Sequence, residues 1–261
     1  GAAADGATAA IGAQGSSLNG LSWSCDAAMS GSTSAWFGDE GARPTADQRG
    51  VGQLSDPWYG ADAAGYMGES LALGDVHGDG YTDLIVGAPS EDTVYVFAGG
   101  PGVGPTTSAE ANTVITGGPG SLFGSALAVA DLDGDGVDEL LIGAPDGDGQ
   151  ITVYGAGDEL SGSMSTADAA MVINGGGGSG VSKLGTALGV GDVDGDGLVD
   201  IVAGAPTSMV GSTARGAVLI WSGDGTGTGT LDPTDASWRV DGVGTGDRFG
   251  TALAVGDLDS D

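Results

Sequence analysis

FGSALAVADLDGDGVDELLIGAP, residues 123–145, decides how this chain is read. A short apolar run at 126–130 leads into Asp131, Asp133 and Asp135, with Gly134 and Gly136 among them. A second apolar run at 140–143 follows and ends in Gly-Ala-Pro. That is a strand, a tight acidic turn and a strand. The stretch recurs as MGESLALGDVHGDGYTDLIVGAP at 67–89, LGTALGVGDVDGDGLVDIVAGAP at 184–206 and FGTALAVGDLDSD at 249–261. The leading aspartates, Asp75, Asp131, Asp192 and Asp257, are separated by 56, 61 and 65 residues. A constant centre on a period of that length marks a repeat architecture, whose units bury their apolar faces only by stacking.

Outward from this centre, each unit offers four short apolar runs. In the first they are 70–73, 84–87, 93–98 and 113–116; in the second, 126–130, 140–143, 151–154 and 171–174; in the third, 187–190, 201–203, 217–221 and 238–240. None is long enough for a three-turn helix with 3.6-residue periodicity. The fold class is therefore all-β, and four strands per unit predict the four-stranded antiparallel blades of a β-propeller. A parallel β-helix is the rival, but its coils are shorter and more uniform. The Gly/Ser/Thr-rich segments 99–108, 155–166, 174–182 and 223–230 read as loops inside one domain. The core is expected at Leu127, Val129, Leu140, Ile142, Leu188, Val190, Ile201, Leu253 and Val255.

The predicted layout is one propeller domain. It has blades at 66–122, 123–183 and 184–248, the start of a further blade at 249–261, and a degenerate partial blade with an irregular loop at 1–65. The partial blade is suggested by DGATAAIGAQ at 5–14, which echoes DGYTDLIVGAP at 79–89.

Composition narrows the function. The chain of 261 residues has 36 acidic and 6 basic residues, a formal charge of −30. Arg43, Arg49, Lys183, Arg215, Arg239 and Arg248 are too few and too scattered for a nucleic-acid groove or an anionic membrane surface. No apolar run reaches the length of a membrane span. Cys25 is the only cysteine, so no internal disulfide forms, and it reads as a buried free thiol. His77 is the only histidine, and it lies in an acidic loop, which argues against Ser-His-Asp or Cys-His catalysis. No phosphate-binding glycine motif precedes a helix.

The acidic loops carry the chemistry. In the second unit Asp131, Asp133, Asp135, the Val137 carbonyl and Glu139 fall at positions 1, 3, 5, 7 and 9. Several hard oxygens aimed into one tight turn suit Ca²⁺, which accepts six to eight ligands in flexible geometry, better than Mg²⁺. Zinc and copper would call for imidazole or thiolate. The third unit repeats the array with Asp192, Asp194, Asp196, the Leu198 carbonyl and Asp200. The first has Asp75, Asp79, the Tyr81 carbonyl and Asp83, with His77 at position 3, and is expected to be a weaker site. The fourth keeps Asp257, Asp259 and Asp261 and is incomplete within the sequence. The twelve-residue helix–loop–helix pattern does not fit, because position 12 is Val86, Ile142 or Ala203, all strand residues.

Taken together, Phe123-Gly124, the DLDGDG loop at Asp131 and Gly143-Ala144-Pro145 resemble FG-GAP repeats. The ending returns at Gly87-Ala88-Pro89 and Gly204-Ala205-Pro206; the opening varies to Met67-Gly68 and Leu184-Gly185 and returns at Phe249-Gly250. The resemblance covers about residues 66–261. It implies an integrin-alpha-like propeller with calcium in hairpin loops on one rim, and seven blades in the integrin-like case. This sequence has material for about four. Three arrangements follow: a longer propeller of which this is a piece, which we favour because the sequence stops inside a metal loop; a four-blade ring in which 252–255 pairs near 8–13; or blades supplied by another chain.

The function this implies is a calcium-stabilised extracellular module for adhesion, binding or structure, engaging a protein or carbohydrate ligand at the cell surface or matrix. The alternatives are a propeller supporting a secreted polysaccharide- or lipid-degrading enzyme, and a lectin-like propeller. For the lectin, Trp36, Trp58, Tyr59 and Trp221 would stack on sugar rings, against the simpler reading that they pack between blades.

Overall fold

The computed structural model describes residues 67–100, 108–155, 160–176 and 180–256, together with the strand backbones of β1 (Ile11–Ala13), β2 (Ser32–Ser34) and β3 (Trp58–Tyr59). These three strands form an antiparallel sheet in the order β1-β2-β3. The rest of the partial blade expected at 1–65, Cys25 and the acidic residues of the Asp257 loop lie outside the described residues.

Three blades follow. The first is β4 (Ser70–Gly74), β5 (Asp83–Ala88), β6 (Thr93–Phe97) and β7 (Thr113–Thr116). The second opens with β8 (Ala126–Ala130), β9 (Glu139–Ala144) and β10 (Gln150–Tyr154); after β11 (Gly162–Ser165) it closes with β12 (Met171–Asn174). The third contains β13 (Ala187–Gly191) and β14 (Asp200–Ala205). A small hairpin of β15 (Met209–Val210) and β16 (Thr213–Ala214) then precedes β17 (Ala217–Trp221), β18 (Gly229–Leu231) and β19 (Trp238–Asp241). Each blade is an antiparallel meander.

Two segments expected to be loops are strands, and they change the sheets. β11 leaves the second blade and pairs in parallel with β7 of the first, Gly162 opposite Thr113. β18 leaves the third blade and pairs in parallel with β12 of the second, Gly229 opposite Met171. The first two sheets are therefore five-stranded, in the orders β11-β7-β6-β5-β4 and β18-β12-β10-β9-β8. An added strand covers a row of backbone groups that would otherwise be an open edge.

The second strands of the blades are buried along their whole length, DLIVGA, ELLIGA and DIVAGA alike. A strand between neighbours on both faces reads as a continuous apolar run. Consecutive side chains divide between the two interfaces. Leu140 and Ile142 pack with Ile85, Val96 and Ile115 of the first blade, whereas Leu141 packs with Ile201, Leu219 and Trp221 of the third.

The first strands depart from the expected core. Leu140, Ile142 and Ile201 are buried, but Leu127, Val129, Leu188, Val190, Leu253 and Val255 are only half-buried. β4, β8 and β13 each end their sheet, so one side of each has no sheet partner. Residues 252–255 form no strand; Leu253 and Val255 lie against Gly189 and Gly191 of β13.

The two ends of the repeat meet between blades. Gly68, Gly124 and Gly185 donate their N–H to the carbonyls of Gly87, Gly143 and Gly204 of their own unit at 2.9, 3.0 and 3.1 Å. The next unit's opening glycine then crosses that strand. A Cβ on Gly87, Gly143 or Gly204 would overlap the carbonyl oxygen of Gly124, Gly185 or Gly250. Phe123, fully buried, fills the space between these crossings and the first blade's core.

Candidate metal centre

Each acidic loop joins the first strand of a blade to the second, so the stiff β8–β9 and β13–β14 ladders fix its ends. Gly134 and Gly136 have φ of +79° and +91°, a backbone region open to glycine, and this lets the turn close. The aspartates then bond the turn's own N–H groups. Asp131 accepts from Gly134 N at 2.7 Å and Gly136 N at 3.0 Å, Asp133 from Asp135 N at 3.1 Å, and Asp135 from Val137 N at 2.8 Å. The third blade repeats this. Asp192 accepts from Gly195 N at 2.7 Å and Gly197 N at 2.9 Å, Asp194 from Asp196 N at 3.1 Å, and Asp196 from Leu198 N at 2.8 Å.

Among the described residues, two groups of carboxylates converge. Ligand atoms of Asp131, Asp133 and Glu139 lie within 4.8 Å of one another, as do those of Asp192, Asp194 and Asp200. Asp135 and Asp196 sit in the same turns but outside these close groups. Neither group has a Lys, Arg or His paired with it among the described residues.

Position 9 forms the floor. Glu139 is fully buried; its Oε2 accepts from Leu132 N at 2.6 Å, while Oε1 has no hydrogen-bond partner. Burial, with the negative charges of Asp133, Asp131 and Asp135, pushes its pKa up to about 7. A buried carboxylate that has one oxygen without a donor and is grouped with two more carboxylates fits a hard cation. Asp200, also fully buried, accepts from Val193 N at 2.7 Å and from Gly223 N at 2.9 Å. Asp194 accepts in addition from Ser222 Oγ at 3.1 Å.

The first loop differs. His77 turns inward and places Nδ1 2.9 Å from Asp83 Oδ2. This bond, chiefly, raises the pKa of His77 against the opposing effect of burial. Asp75 accepts from Asp79 N at 3.1 Å and Gly80 N at 2.8 Å, and Asp79 from Tyr81 N at 2.9 Å. Asp75, Asp79 and Asp83 do not converge as the other two groups do. Tyr81, Val137 and Leu198, the position-7 residues, all lie in the turns, Tyr81 and Leu198 exposed.

The sequence reading missed two acids. Asp138, at position 8, bonds Asp75 of the neighbouring blade. Asp92, with φ of 49°, accepts from Phe123 N at 3.3 Å and Ser121 Oγ at 3.2 Å and so anchors the next unit's opening. Sequence offers a faint signal for the first: position 8 is Thr82 and Val199 in the other units. Of the aromatics proposed to stack on sugars, Trp221 is buried between blades and donates its indole N–H to the Asp232 carbonyl at 3.1 Å. The side chains of Trp36, Trp58 and Tyr59 lie outside the described residues.

The FG-GAP repeat model matches residues 67–105, 123–157 and 184–221, the first three strands of each blade. The chain is 33% identical over 210 residues to phosphatidylinositol-glycan-specific phospholipase D of Rattus norvegicus, covering 72% of this chain and 24% of that protein. It is 33% identical over 219 residues to integrin alpha-PS2 of Drosophila melanogaster, covering 75% of this chain and 14% of the integrin. To integrin alpha-5 of Xenopus laevis it is 33% identical over 172 residues, 60% of this chain and 15% of the integrin. The chain thus spans about a quarter or less of the length of these relatives. With three repeats matched in register with three blades, the chain contains three FG-GAP repeats.

Proposed function

We propose that this chain is a calcium-stabilised, extracellular β-propeller module for adhesion, binding or structural support, which meets a protein or carbohydrate ligand at the cell surface or matrix. The observation that carries it is the pair of carboxylate groups at Asp131/Asp133/Glu139 and Asp192/Asp194/Asp200, built into matching turns. In this reading Asp131, Asp133, Asp135, the Val137 carbonyl and Glu139 hold one Ca²⁺. Asp192, Asp194, Asp196, the Leu198 carbonyl and Asp200 hold a second. The Asp257, Asp259 and Asp261 spacing belongs to a further loop of the same kind. The ion would neutralise a local cluster of charge and tie the first strand of a blade to its second.

One propeller domain contains all of this, with residues 1–65 contributing part of a preceding blade and 249–261 opening another. The approach of β1 to β4, like that of β5 to β8 and of β9 to β13, supports that layout. Similarity to integrin alpha chains supports the adhesive role. No helix among the described residues is long and apolar enough to cross a membrane.

Calorimetry tests the metal reading. Calcium should bind the wild-type protein, and Asp133→Ala and Asp194→Ala should each remove one ion and leave the other. An ion that binds only the folded state adds about 2.7 kcal/mol at one hundred times its dissociation constant, so chelation should lower the melting temperature. Absence of calcium heat from the wild type would exclude the reading.

A second reading is favoured by the similarity to phosphatidylinositol-glycan-specific phospholipase D. The propeller then supports a lipid-degrading enzyme. Binding of the purified chain to glycosylphosphatidylinositol vesicles, with no binding to matrix proteins or glycans, would select it.

A further inference from the structure

We propose that His77 takes the place of a cation in the first hairpin loop, so that this loop holds its shape without a divalent ion. The contrast with the other two loops rests on reading them as metal sites; the test does not.

His77 stands where the other units have Asp133 and Asp194. Those two carboxylates lie with the position-1 and position-9 carboxylates of their turns. His77 instead points its imidazole at the position-9 acid, with Nδ1 2.9 Å from Asp83 Oδ2. The His77 side chain is 15% exposed and that of Asp83 0%. A ring N–H is thus delivered to the position-9 carboxylate.

Asp83 Oδ2 has no capacity left for an ion. Its Oδ2 accepts from Val76 N at 2.9 Å and His77 N at 3.1 Å as well as from the imidazole, and its Oδ1 accepts from Gly99 N at 2.8 Å. Three donors on Oδ2 more than fill the roughly two lone-pair sites of one carboxylate oxygen. Glu139, by contrast, keeps Oε1 free of donors.

The turn has also re-bonded. In the other loops the leading aspartate accepts from positions 4 and 6, Gly134 and Gly136 or Gly195 and Gly197. In the first it accepts from positions 5 and 6, Asp79 and Gly80. The first loop carries Asp75, Asp79 and Asp83, one acid fewer than the second or third at positions 1, 3, 5 and 9. One carboxylate has been exchanged for a donor, which removes a negative charge and supplies the missing partner together.

Native mass spectrometry of the intact 261-residue chain in calcium reads the number of ions bound. Asp79→Asn should bind as many ions as the wild type, and His77→Asp should bind one more. In chelator, His77→Asp should melt below the wild type, and calcium should close the gap. Loss of an ion in Asp79→Asn, or no gain in His77→Asp, overturns the proposal. Because the readout is a difference, a wild type with no ions and a His77→Asp variant with one would uphold it while excluding the reading of the other loops. If His77→Asp does not fold, the Asp79→Asn count alone decides.

Discussion

Asp75 and Asp138 hold each other across the boundary between the first two blades. Asp138 N donates to the Asp75 carbonyl at 3.0 Å, and Asp75 N donates to Asp138 Oδ2 at 2.9 Å. One acidic loop is thereby tied to the next by two hydrogen bonds. Asp138→Ala strands the Asp75 N–H and should cost about 1–3 kcal/mol in urea denaturation. Burial, with Asp131 and Asp75 nearby, raises the Asp138 pKa, so the charge itself does not favour folding. Asp138→Asn retains an acceptor and should therefore fall within roughly 0.5 kcal/mol of the wild type at neutral pH.

Glu139 gives the metal-free protein a pH dependence of known sign. In the folded state it keeps its proton up to about pH 7, above its ordinary value of 4.5. Between those values the folded state binds more protons than the unfolded one. The contribution of this group to stability is therefore present at low pH and lost as pH rises through the window. In chelator, Glu139→Gln should remove that part of the slope and be more stable than the wild type near about pH 7.5. The same variant should lose calcium affinity at this loop, which titration calorimetry measures.

The donated strands protect blade edges. Gly162 N donates to the Asn112 carbonyl at 3.2 Å and Gly229 N to the Ala170 carbonyl at 3.0 Å, each where a parallel strand begins. Proline lacks this donor and cannot take the φ of +65° or +124° found there. Gly162→Pro and Gly229→Pro should each cost roughly 2–4 kcal/mol. Size-exclusion chromatography should also show self-association, because an uncovered edge recruits other strands.

Ile142 is fully buried in the interface between the first two blades. Ile142→Ala should cost about 2–4 kcal/mol. Leu127, half-buried on an inner strand opposite it, should cost less when changed to Ala. Equal losses in chemical denaturation would mean that the first strand is packed as tightly as the second.

Much of the fold was legible because the repeat states it several times. The runs at 113–116, 126–130, 171–174 and 217–221 coincide with β7, β8, β12 and β17. β11 and β18 were not legible. GSMS and GTL have little apolar content, and they pair with a blade other than the one that precedes and follows them in sequence.

Local chemistry fixed the acidic turns, since spacing by twos with glycines between brings carboxylates and backbone N–H groups together within nine residues. The hairpins, the blade repeat and the Gly-Ala-Pro ending followed from the sequence for the same reason: each depends on near neighbours. Tertiary structure alone decided which acids keep an acceptor oxygen to spare. Asp83 is bonded at both oxygens, by His77 and by Gly99, sixteen residues away, whereas Glu139 keeps a bare oxygen. It also decided that Asp138 clasps Asp75, sixty-three residues earlier. Such contacts form only when whole blades stack, because blade packing sets the position of one loop against the next.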